Sequence, residues 1–209
     1  MPGAPNWAAY ERAMRAHFAA LDLDHWWPAR SQFEMIAGAL LVQNTNWANV
    51  QMALSSLSTA GKLSLAGVRS LSEAELGRLI RSAGTWRQKA RRLRGFVLWL
   101  DRTHRGSLQQ LFTQPTERAR QQLLALEGIG EETADAILTF AGGRARFIND
   151  AYTRRIFARH GLTIDAARQT ITEPRACRDW HALLVETAKR YCRKQMPDCA
   201  ACPLGGLLP

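Results

Sequence analysis

Apolar residues recur at spacings of three and four along most of the chain, which is the period expected of helices that pack on one face. The clearest stripe, at i, i+3, i+4 and i+7, consists of Ala134, Ile137, Leu138 and Ala141. Similar groupings begin at Phe33, Leu76, Leu93, Ile156 and Leu183. Short segments containing Gly or Pro separate them, and no alternation of apolar and polar residues is long enough to predict a sheet. The pattern predicts an all-α fold of about ten helices joined by short loops.

The charge balance adds a basic surface to this helical fold. Lys and Arg total 28 against 18 Asp and Glu, which gives a formal net charge of +10 over 209 residues. Such a surface attracts polyanions, so nucleic acid is the first candidate partner and membrane phosphates are the alternative. There is no run of about 18 apolar residues to span a membrane, and no basic segment followed by an apolar run at the start of the chain. We therefore expect a cytoplasmic protein, nucleoid-associated if bacterial, with no membrane partner.

The most informative stretch, residues 121–159, contains a Gly-Ile-Gly turn between two predicted helices. Gly128 and Gly130 let the backbone turn tightly and approach a ligand without a Cβ in the way. The next helix starts at once, so its free N–H groups can bind a phosphate oxygen without reading base identity. The alternative for Gly128, Ile129 and Gly130 is an ordinary helical hairpin capped by glycine.

An aspartate follows this turn. Asp150 lies twenty residues after Gly130, immediately before a predicted helix over residues 151–159. Taken alone, an Asp at this position is typical of a helix N-cap.

Four motifs together resemble the helix-hairpin-helix DNA glycosylases of the endonuclease III family. In the family's order, they are Leu-Val-Gln-Asn-Thr at 41–45, Lys-Ala-Arg-Arg-Leu at 89–93, Leu-Glu-Gly-Ile-Gly at 126–130, and the segment 150–157. The resemblance covers most of the chain and places Asp150 at the mouth of a base pocket, where the family's aspartate drives cleavage of the N-glycosidic bond.

The resemblance also implies an architecture, which is an all-α, two-lobed fold with the DNA-binding cleft between the lobes. Residues 28–142 are expected to form a helical barrel lobe that carries the helix-hairpin-helix. Residues 1–27 plus 143–209 are expected to form the second lobe. The implied partner is double-stranded DNA containing damaged bases, and the protein is expected to be a monomer.

One departure from the family narrows the predicted chemistry. Bifunctional members carry a lysine two residues after the second hairpin glycine, and its amine forms a Schiff base with the sugar. Glu132 occupies that position here, and a carboxylate cannot form a Schiff base. Lys89 is the nearest other amine by motif, with no reason to enter the pocket. The prediction is a monofunctional glycosylase in which water attacks the anomeric carbon and Asp150 stabilises the oxocarbenium-like centre.

Glu132 itself has two interpretations. It lies in the predicted first turn of a helix, where a carboxylate complements the helix dipole. The other hypothesis is that it adds negative potential to the base pocket, which makes it a candidate catalytic residue beside Asp150.

Tryptophans indicate the class of base. Trp26-Trp27-Pro28, Trp47 and the Glu-Thr-Ala-Asp string at 132–135 resemble the 3-methyladenine branch of the family. The resemblance assigns Trp26 and Trp47 as the pair that stacks on the extruded base, with Trp27 and Pro28 shaping the wall; core packing is the alternative. Alkylated purines are cationic, and an aromatic sandwich favours a cation by about 0.5–2 kcal/mol. The predicted substrates are alkylated purines of the 3-methyladenine type.

Two other functions stay open. One is an endonuclease III-like glycosylase for another lesion, such as an oxidised pyrimidine or uracil or thymine in a mismatch; the tryptophans argue against it. The other is a non-catalytic damage-binding protein with the same fold, and the presence of Asp150 argues against it.

Further DNA contacts are predicted outside the base pocket. Gln43 matches the family's wedge residue, which fills the space left by the flipped nucleotide; a polar residue at a helix end is the alternative. A dense basic run follows, comprising Arg87, Lys89, Arg91, Arg92 and Arg94. It is either a solvated helix face or a set of phosphate contacts that includes Lys89 and Arg91, and phosphate contacts make binding weaken steeply with salt.

The cysteines form an incomplete cluster motif. Cys192, Cys199 and Cys202 have the spacing C-x6-C-x2-C, which many endonuclease III relatives extend with a fourth Cys to hold a [4Fe–4S] cluster. Leu208 occupies the fourth position here, and the position of Cys177 is not the family's. A lost cluster, a three-thiolate cluster with another fourth ligand, and a different metal all stay open. The proposed chemistry itself needs no cofactor.

Overall fold

The computed structural model describes residues 5–209, and these residues are helical with no strand among them, which confirms the predicted all-α class. They contain twelve α-helices. In chain order the helices are α1 (Trp7–His17), α2 (Gln32–Leu41), α3 (Trp47–Thr59), α4 (Leu65–Arg69), α5 (Glu73–Leu79), α6 (Trp86–His104), α7 (Leu108–Phe112), α8 (Thr116–Leu124), α9 (Glu131–Ala136), α10 (Ala151–His160), α11 (Ile164–Thr170) and α12 (Pro174–Arg190). Shorter turns cover Arg81–Ala83, Ile137–Ala141 and Gly205–Leu207.

The chain divides into two compact units. The first unit is Pro28–Arg144, and the second unit combines the described residues up to Trp27 with Ala145–Pro209. In the part of the chain that is described, no helix has both the length and the apolar character to cross a membrane.

The core of the first unit is built around α2. This helix is buried at every residue from Phe33 to Leu41, and Glu34 is the one charged residue among them. It packs against α3, α6, α9 and the Ile137–Ala141 turn. The predicted stripe from Ala134 to Ala141 is buried as expected, but the backbone widens into a π-helical turn over Ile137–Ala141.

The apolar run that begins in α2 is divided between two helices, and a side-chain cap starts the second of them. The apolar spacing continues from Phe33 to Val50, yet α2 stops at Leu41 and α3 begins at Trp47. Asn46 is the N-cap of α3, where its Oδ1 accepts a hydrogen bond from the Asn49 N–H at 2.9 Å. The loop between the two helices carries Gln43.

The second unit has its own core, in which α10 and α1 both pack against α12. Its largest fully buried side chain is that of Trp180, packed with Met14, Phe157 and Leu183 among others. The N-cap of α10 and the inner face of α12 therefore lie on one rigid framework, and the candidate catalytic residue is at that N-cap.

Candidate active site and nucleic-acid interface

The predicted hairpin in the first unit is formed by α8, the turn at 126–130 and α9. Gly128 has φ +79°, a conformation that favours glycine, and a Cβ at this position would overlap the guanidinium of Arg92. Ile129 is buried and anchors the turn from inside. Gly130 is the N-cap of α9 and has no side chain to cap the helix, so the first N–H groups of α9 receive no side-chain cap. The turn thus has the geometry predicted from the two glycines.

Gln43 is held against this hairpin. Its Nε2 donates to the Gly128 carbonyl at 2.9 Å and to Thr133 Oγ1 at 3.0 Å. Its Oε1 accepts from Arg92 Nη1 at 2.7 Å. The structure therefore brings the predicted wedge residue and the predicted phosphate-binding turn together, through an arginine whose role the sequence did not indicate.

Lys89 is a correction to the predicted DNA contacts. Its side chain is buried, with 1% of the residue exposed, and its Nζ donates to the carbonyls of Leu41 at 2.9 Å and Ala83 at 2.6 Å. Burial lowers the pKa of Lys89, and the nearby charge of Arg92 lowers it further. The ammonium satisfies carbonyls at the ends of α2 and of the Arg81–Ala83 turn, so it cannot contact phosphate without dismantling them.

The arginines of the basic run at 87–94 differ in how far they are exposed to solvent. Arg91 is exposed, with 63% of its side chain accessible and Glu127 3.9 Å away. Arg87 is also exposed, and its guanidinium lies 4.3 Å from the centre of the Trp86 ring. Arg94 donates to the Leu71 carbonyl at 3.0 Å. Arg87 and Arg91 therefore have the accessibility that a phosphate contact needs, whereas Arg92 and Arg94 are bonded within the fold.

The acidic residues of α9 have different surroundings. Asp135 is fully buried and accepts a hydrogen bond from Arg120 Nε at 2.7 Å, and it is the main cause of the raised pKa of Arg120. Glu131 is exposed and also pairs with Arg120, at 3.2 Å. Glu132 is exposed in the first turn of α9, where a carboxylate complements the helix dipole.

Asp150 lies in the second unit as the N-cap of α10. It is 4% exposed, and its Oδ1 accepts a hydrogen bond from the Thr153 N–H at 2.7 Å. Two buried oxygens flank it, Asn149 Oδ1 and Thr153 Oγ1, and neither has a hydrogen-bond partner among the described residues. Buried polar atoms of this kind usually mark a place where water or a ligand completes the bonding. One carboxylate oxygen of Asp150 caps α10, so Asp150 can be the N-cap and also the expected catalytic residue.

The most informative residue that the sequence did not indicate is His181. It is 8% exposed on α12, and its ring packs edge-on against Trp26, with centroids 5.6 Å apart and planes at 84°. The pKa of His181 lies below its usual value, chiefly because of burial, while the charge of Asp150 raises it and that of Lys189 lowers it. His181 therefore lies within electrostatic range of Asp150 and in ring contact with Trp26, all within the second unit. A histidine inside the apolar run 180–185 is the sequence signal that could have identified it.

The predicted base-pocket residues are distributed over both units. Trp26 and Trp27 are half-buried, with ring centroids 6.3 Å apart and planes at 79°. The indole Nε1 of Trp26 donates to Glu186 Oε1 at 3.1 Å. Pro28 is exposed at the start of the first unit, and Trp47, half-buried, is the first residue of α3. None of these four residues is part of the fully buried core.

The three cysteines of the motif differ in their surroundings, and no fourth thiol completes the set. Cys192 is buried and its Sγ accepts a hydrogen bond from Arg159 Nη1 at 2.9 Å, whereas Cys199 is exposed and Cys202 is half-buried. Burial raises the pKa of Cys202, and Cys192 and Cys199 raise it further. Leu208, at the fourth position, offers no ligand atom. With three thiols and no fourth ligand, the motif does not supply the complete ligand set of a [4Fe–4S] cluster. Among residues 5–209, no group of three or more His, Cys, Asp or Glu is arranged to hold a metal ion.

The fourth cysteine belongs to the core of the second unit. Cys177 is 1% exposed on α12, and its Sγ donates to the Ile171 carbonyl at 3.3 Å. Burial raises its pKa to about 11. A thiol of this kind is a packing residue rather than a nucleophile or a ligand.

The buried histidines of the second unit predict a pH dependence of stability. The pKa values of His160 and His181 are both lowered from 6.5, mainly by burial, so the folded protein binds fewer protons than the unfolded chain below that pH. Their contribution is complete above the ordinary pKa and declines as pH falls below about 6.5. We expect the urea midpoint to drop between pH 7.5 and 5.5, and to drop less in a His160→Gln, His181→Gln double variant. His25→Gln, which removes an exposed histidine, is the control and should leave the pH dependence of the urea midpoint unchanged. The assignment is contradicted if the double variant shows the same pH dependence as this control.

Comparison with known proteins places this geometry in a family. The model of the HhH-GPD superfamily base excision DNA repair protein matches residues 37–180. A curated relative from Methanocaldococcus jannaschii, named "Putative DNA repair glycosylase MJ1434", is 36% identical over 191 residues, covering 86% of this chain and 86% of the relative.

Two solved structures have a similar fold. The Helicobacter pylori 3-methyladenine DNA glycosylase MagIII, bound to 1,N6-ethenoadenine, superposes with a TM-score of 0.75 at 22% identity, over 87% of this chain and 96% of that one. A non-covalent endonuclease III–DNA complex gives a TM-score of 0.79 at 22% identity, over 100% of this chain and 96% of that one. With the hairpin, the capping aspartate and the match over residues 37–180, the chain belongs to the HhH-GPD superfamily of base excision DNA repair proteins.

Proposed function

We propose that this protein is a monofunctional DNA glycosylase that releases alkylated purines, of the 3-methyladenine type, from damaged double-stranded DNA. The proposal is carried by the buried carboxylate of Asp150 and by His181, which lies within electrostatic range of that carboxylate and packs edge-on against the half-buried indole of Trp26. A fixed negative charge and an aromatic ring on one framework suit a reaction in which a cationic base leaves a sugar that becomes positive.

Asp150 supplies the electrostatic part of the reaction. The bond from C1′ to the base nitrogen breaks, its electron pair leaves with the base, and the sugar becomes oxocarbenium-like. The Thr153 N–H fixes Oδ1, so the carboxylate needs little reorganisation as positive charge develops. Water then forms the new bond to C1′ and loses its proton to Asp150 or to solvent. An alkylated purine leaves as a neutral molecule, so no general acid is required.

Trp26 and Trp47 are the proposed base-contacting rings, and Trp27 and Pro28 are proposed to shape the wall of the pocket. A cationic base gains about 0.5–2 kcal/mol from an aromatic face, which a neutral base lacks. Extrusion of a damaged base also costs less than extrusion of a well-paired one. Selectivity therefore arises from both the ring and the lesion. Glu132, exposed at the first turn of α9, is proposed to add negative potential to the same region.

DNA positioning is assigned to the first unit. The N–H groups of Gly128 and Gly130 are the proposed phosphate donors, and Arg91 adds an exposed cation. Ile129 holds the turn in place instead, because its N–H donates to the Leu126 carbonyl at 3.1 Å. Gln43 is the proposed wedge. Because its amide is already bonded to the Gly128 carbonyl, insertion of Gln43 and phosphate binding at the turn are expected to be coupled.

The direct test is release of free base from methylated duplex DNA, followed by chromatography of the supernatant. We expect 3-methyladenine and related alkylpurines to appear with wild-type protein and not with Asp150→Asn. Release of uracil, thymine or oxidised pyrimidines instead would assign the protein to another lesion. Tight binding of abasic DNA with no base released would indicate a damage-binding protein.

Because position 132 is not a lysine, we expect the protein to leave the DNA strand uncut at the abasic site. Incubation of abasic duplex with the protein should leave the strand intact, and borohydride should trap no covalent complex, because a carboxylate forms no Schiff base. A Glu132→Lys variant tests whether position 132 alone decides the outcome. Efficient nicking with a borohydride-trapped adduct in the wild type contradicts the monofunctional assignment.

Removal of the Trp47 ring predicts a loss in excision that exceeds the loss in DNA affinity. Trp47→Ala removes a half-buried indole at the start of α3, outside the fully buried core. We expect excision of alkylpurines to fall about 5- to 30-fold, the range of a lost cation–π contact and stacking surface. Affinity for undamaged duplex serves as the control. Equal losses in both measurements indicate a packing role for Trp47.

A further inference from the structure

The indole of Trp26 is positioned by side chains rather than by a helix. Trp26 lies in the non-helical segment between α1 and α2, so no regular backbone pattern fixes its ring. Two residues of α12 hold it instead: Glu186 Oε1 accepts from its Nε1 at 3.1 Å, and His181 packs edge-on at 5.6 Å.

The carboxylate of Glu186 is largely shielded from water at this contact. Only 15% of its side chain is exposed, whereas its two cationic neighbours, Lys189 at 3.9 Å and Arg190 at 3.2 Å, are 45% and 54% exposed. Exposed ion pairs are screened by solvent and weak, while a hydrogen bond from a partly buried N–H to a carboxylate is charge-assisted. Glu186 therefore retains much of its influence on the indole.

A carboxylate bonded to an indole N–H changes the charge distribution of the ring. The negative acceptor pushes electron density toward the π face, and that face is what a cationic base meets. Lys189 Nζ lies 5.9 Å from the Trp26 ring centre, so a cation of the protein itself already lies over this ring. Burial keeps the pKa of His181 low, so at neutral pH the second support of the ring carries no opposing charge.

We propose that Glu186 is a specificity-determining positioning residue, which acts through the indole N–H of Trp26 to favour cationic over neutral bases. This inference rests on the proposed function, in which Trp26 contacts the extruded base. Glu186 touches no substrate in this role; it orients and polarises the ring that does.

The test compares kcat/KM for a cationic base, 7-methylguanine, with that for a neutral base, hypoxanthine, in matched duplexes. Glu186→Gln keeps an oxygen for the indole N–H and removes only the charge. We expect the cationic-to-neutral ratio to fall about 3- to 10-fold, within the range of a weakened cation–π contact. Glu173→Gln is the matched control, because Glu173 is an exposed carboxylate at the start of α12 without a capping bond.

A Trp26→Phe background separates action through the indole from a general effect of charge. Phe has no N–H, so Glu186→Gln should change the ratio no further in that background. Equal losses for both bases, or the same change of ratio in the Trp26→Phe background, overturn the inference. If the wild type releases no cationic base, the proposed function fails and this inference fails with it. If it does, and Glu186→Gln leaves the ratio unchanged, only the inference fails.

Discussion

Asp150→Asn should lower the rate of base release by about 10²–10³-fold or more, while affinity for DNA stays the same or rises slightly. The asparagine side chain still offers an oxygen to the Thr153 N–H, so the N-cap of α10 and the fold around it are kept. Only the negative charge is lost. That charge is what stabilises the sugar as the base leaves, and its removal also reduces repulsion of DNA phosphates.

The measurement is single-turnover release of 3-methyladenine or 7-methylguanine at saturating protein, beside a binding isotherm for the same duplex. Asp165→Asn is the matched control, since Asp165 is an exposed acid in the first turn of α11 in the same unit. We expect the control to release base at the wild-type rate. Wild-type release by Asp150→Asn, with an unchanged unfolding midpoint, would remove Asp150 from the mechanism.

Lys89→Met should unfold far more readily than the wild type, although lysine is ordinarily a surface residue. The replacement fills a similar volume but leaves the Leu41 and Ala83 carbonyls without their donor. Each buried acceptor left unsatisfied costs about 1–3 kcal/mol. For a protein of this size each kcal/mol lowers the melting temperature by about 2–4 °C. The removal of a buried charge offsets part of this loss.

Arg91→Met on the same helix is the matched control with the opposite outcome. Arg91 is exposed, so its loss should change the free energy of unfolding by less than about 0.5 kcal/mol. If it contacts phosphate, DNA binding should weaken and the slope of affinity against salt should fall by about one. A stable Lys89→Met protein with a reduced salt slope would return Lys89 to the DNA surface and contradict its burial.

Local patterns were sufficient for the helical class and for the hairpin. The stripe from Ala134 to Ala141 identified a buried face because its spacing reflects the geometry of a single helix. Gly128 and Gly130 indicated a tight turn because backbone conformation depends on the residue itself, and Gly128 does have a positive φ. Asp150 could be assigned as an N-cap for the same local reason.

The roles of Lys89, Gln43 and His181 depended on residues distant in sequence. The carbonyl of Leu41 is 48 residues from Lys89, and the Gly128 carbonyl is 85 residues from Gln43. Charge type suggests a surface position, but a buried donor is stable wherever the fold supplies acceptors, and spacing along the chain does not reveal those acceptors.

The sequence of this protein was therefore enough to predict its helical class, its hairpin and the residue types available for chemistry, since each depends on contacts within a few residues. The tertiary structure alone decided which polar groups are buried and what they bond to. It placed Lys89 inside the first unit, and in the second it brought His181 into ring contact with Trp26 and within electrostatic range of Asp150. Burial and pairing are properties of packed surfaces, and those form only when distant segments meet.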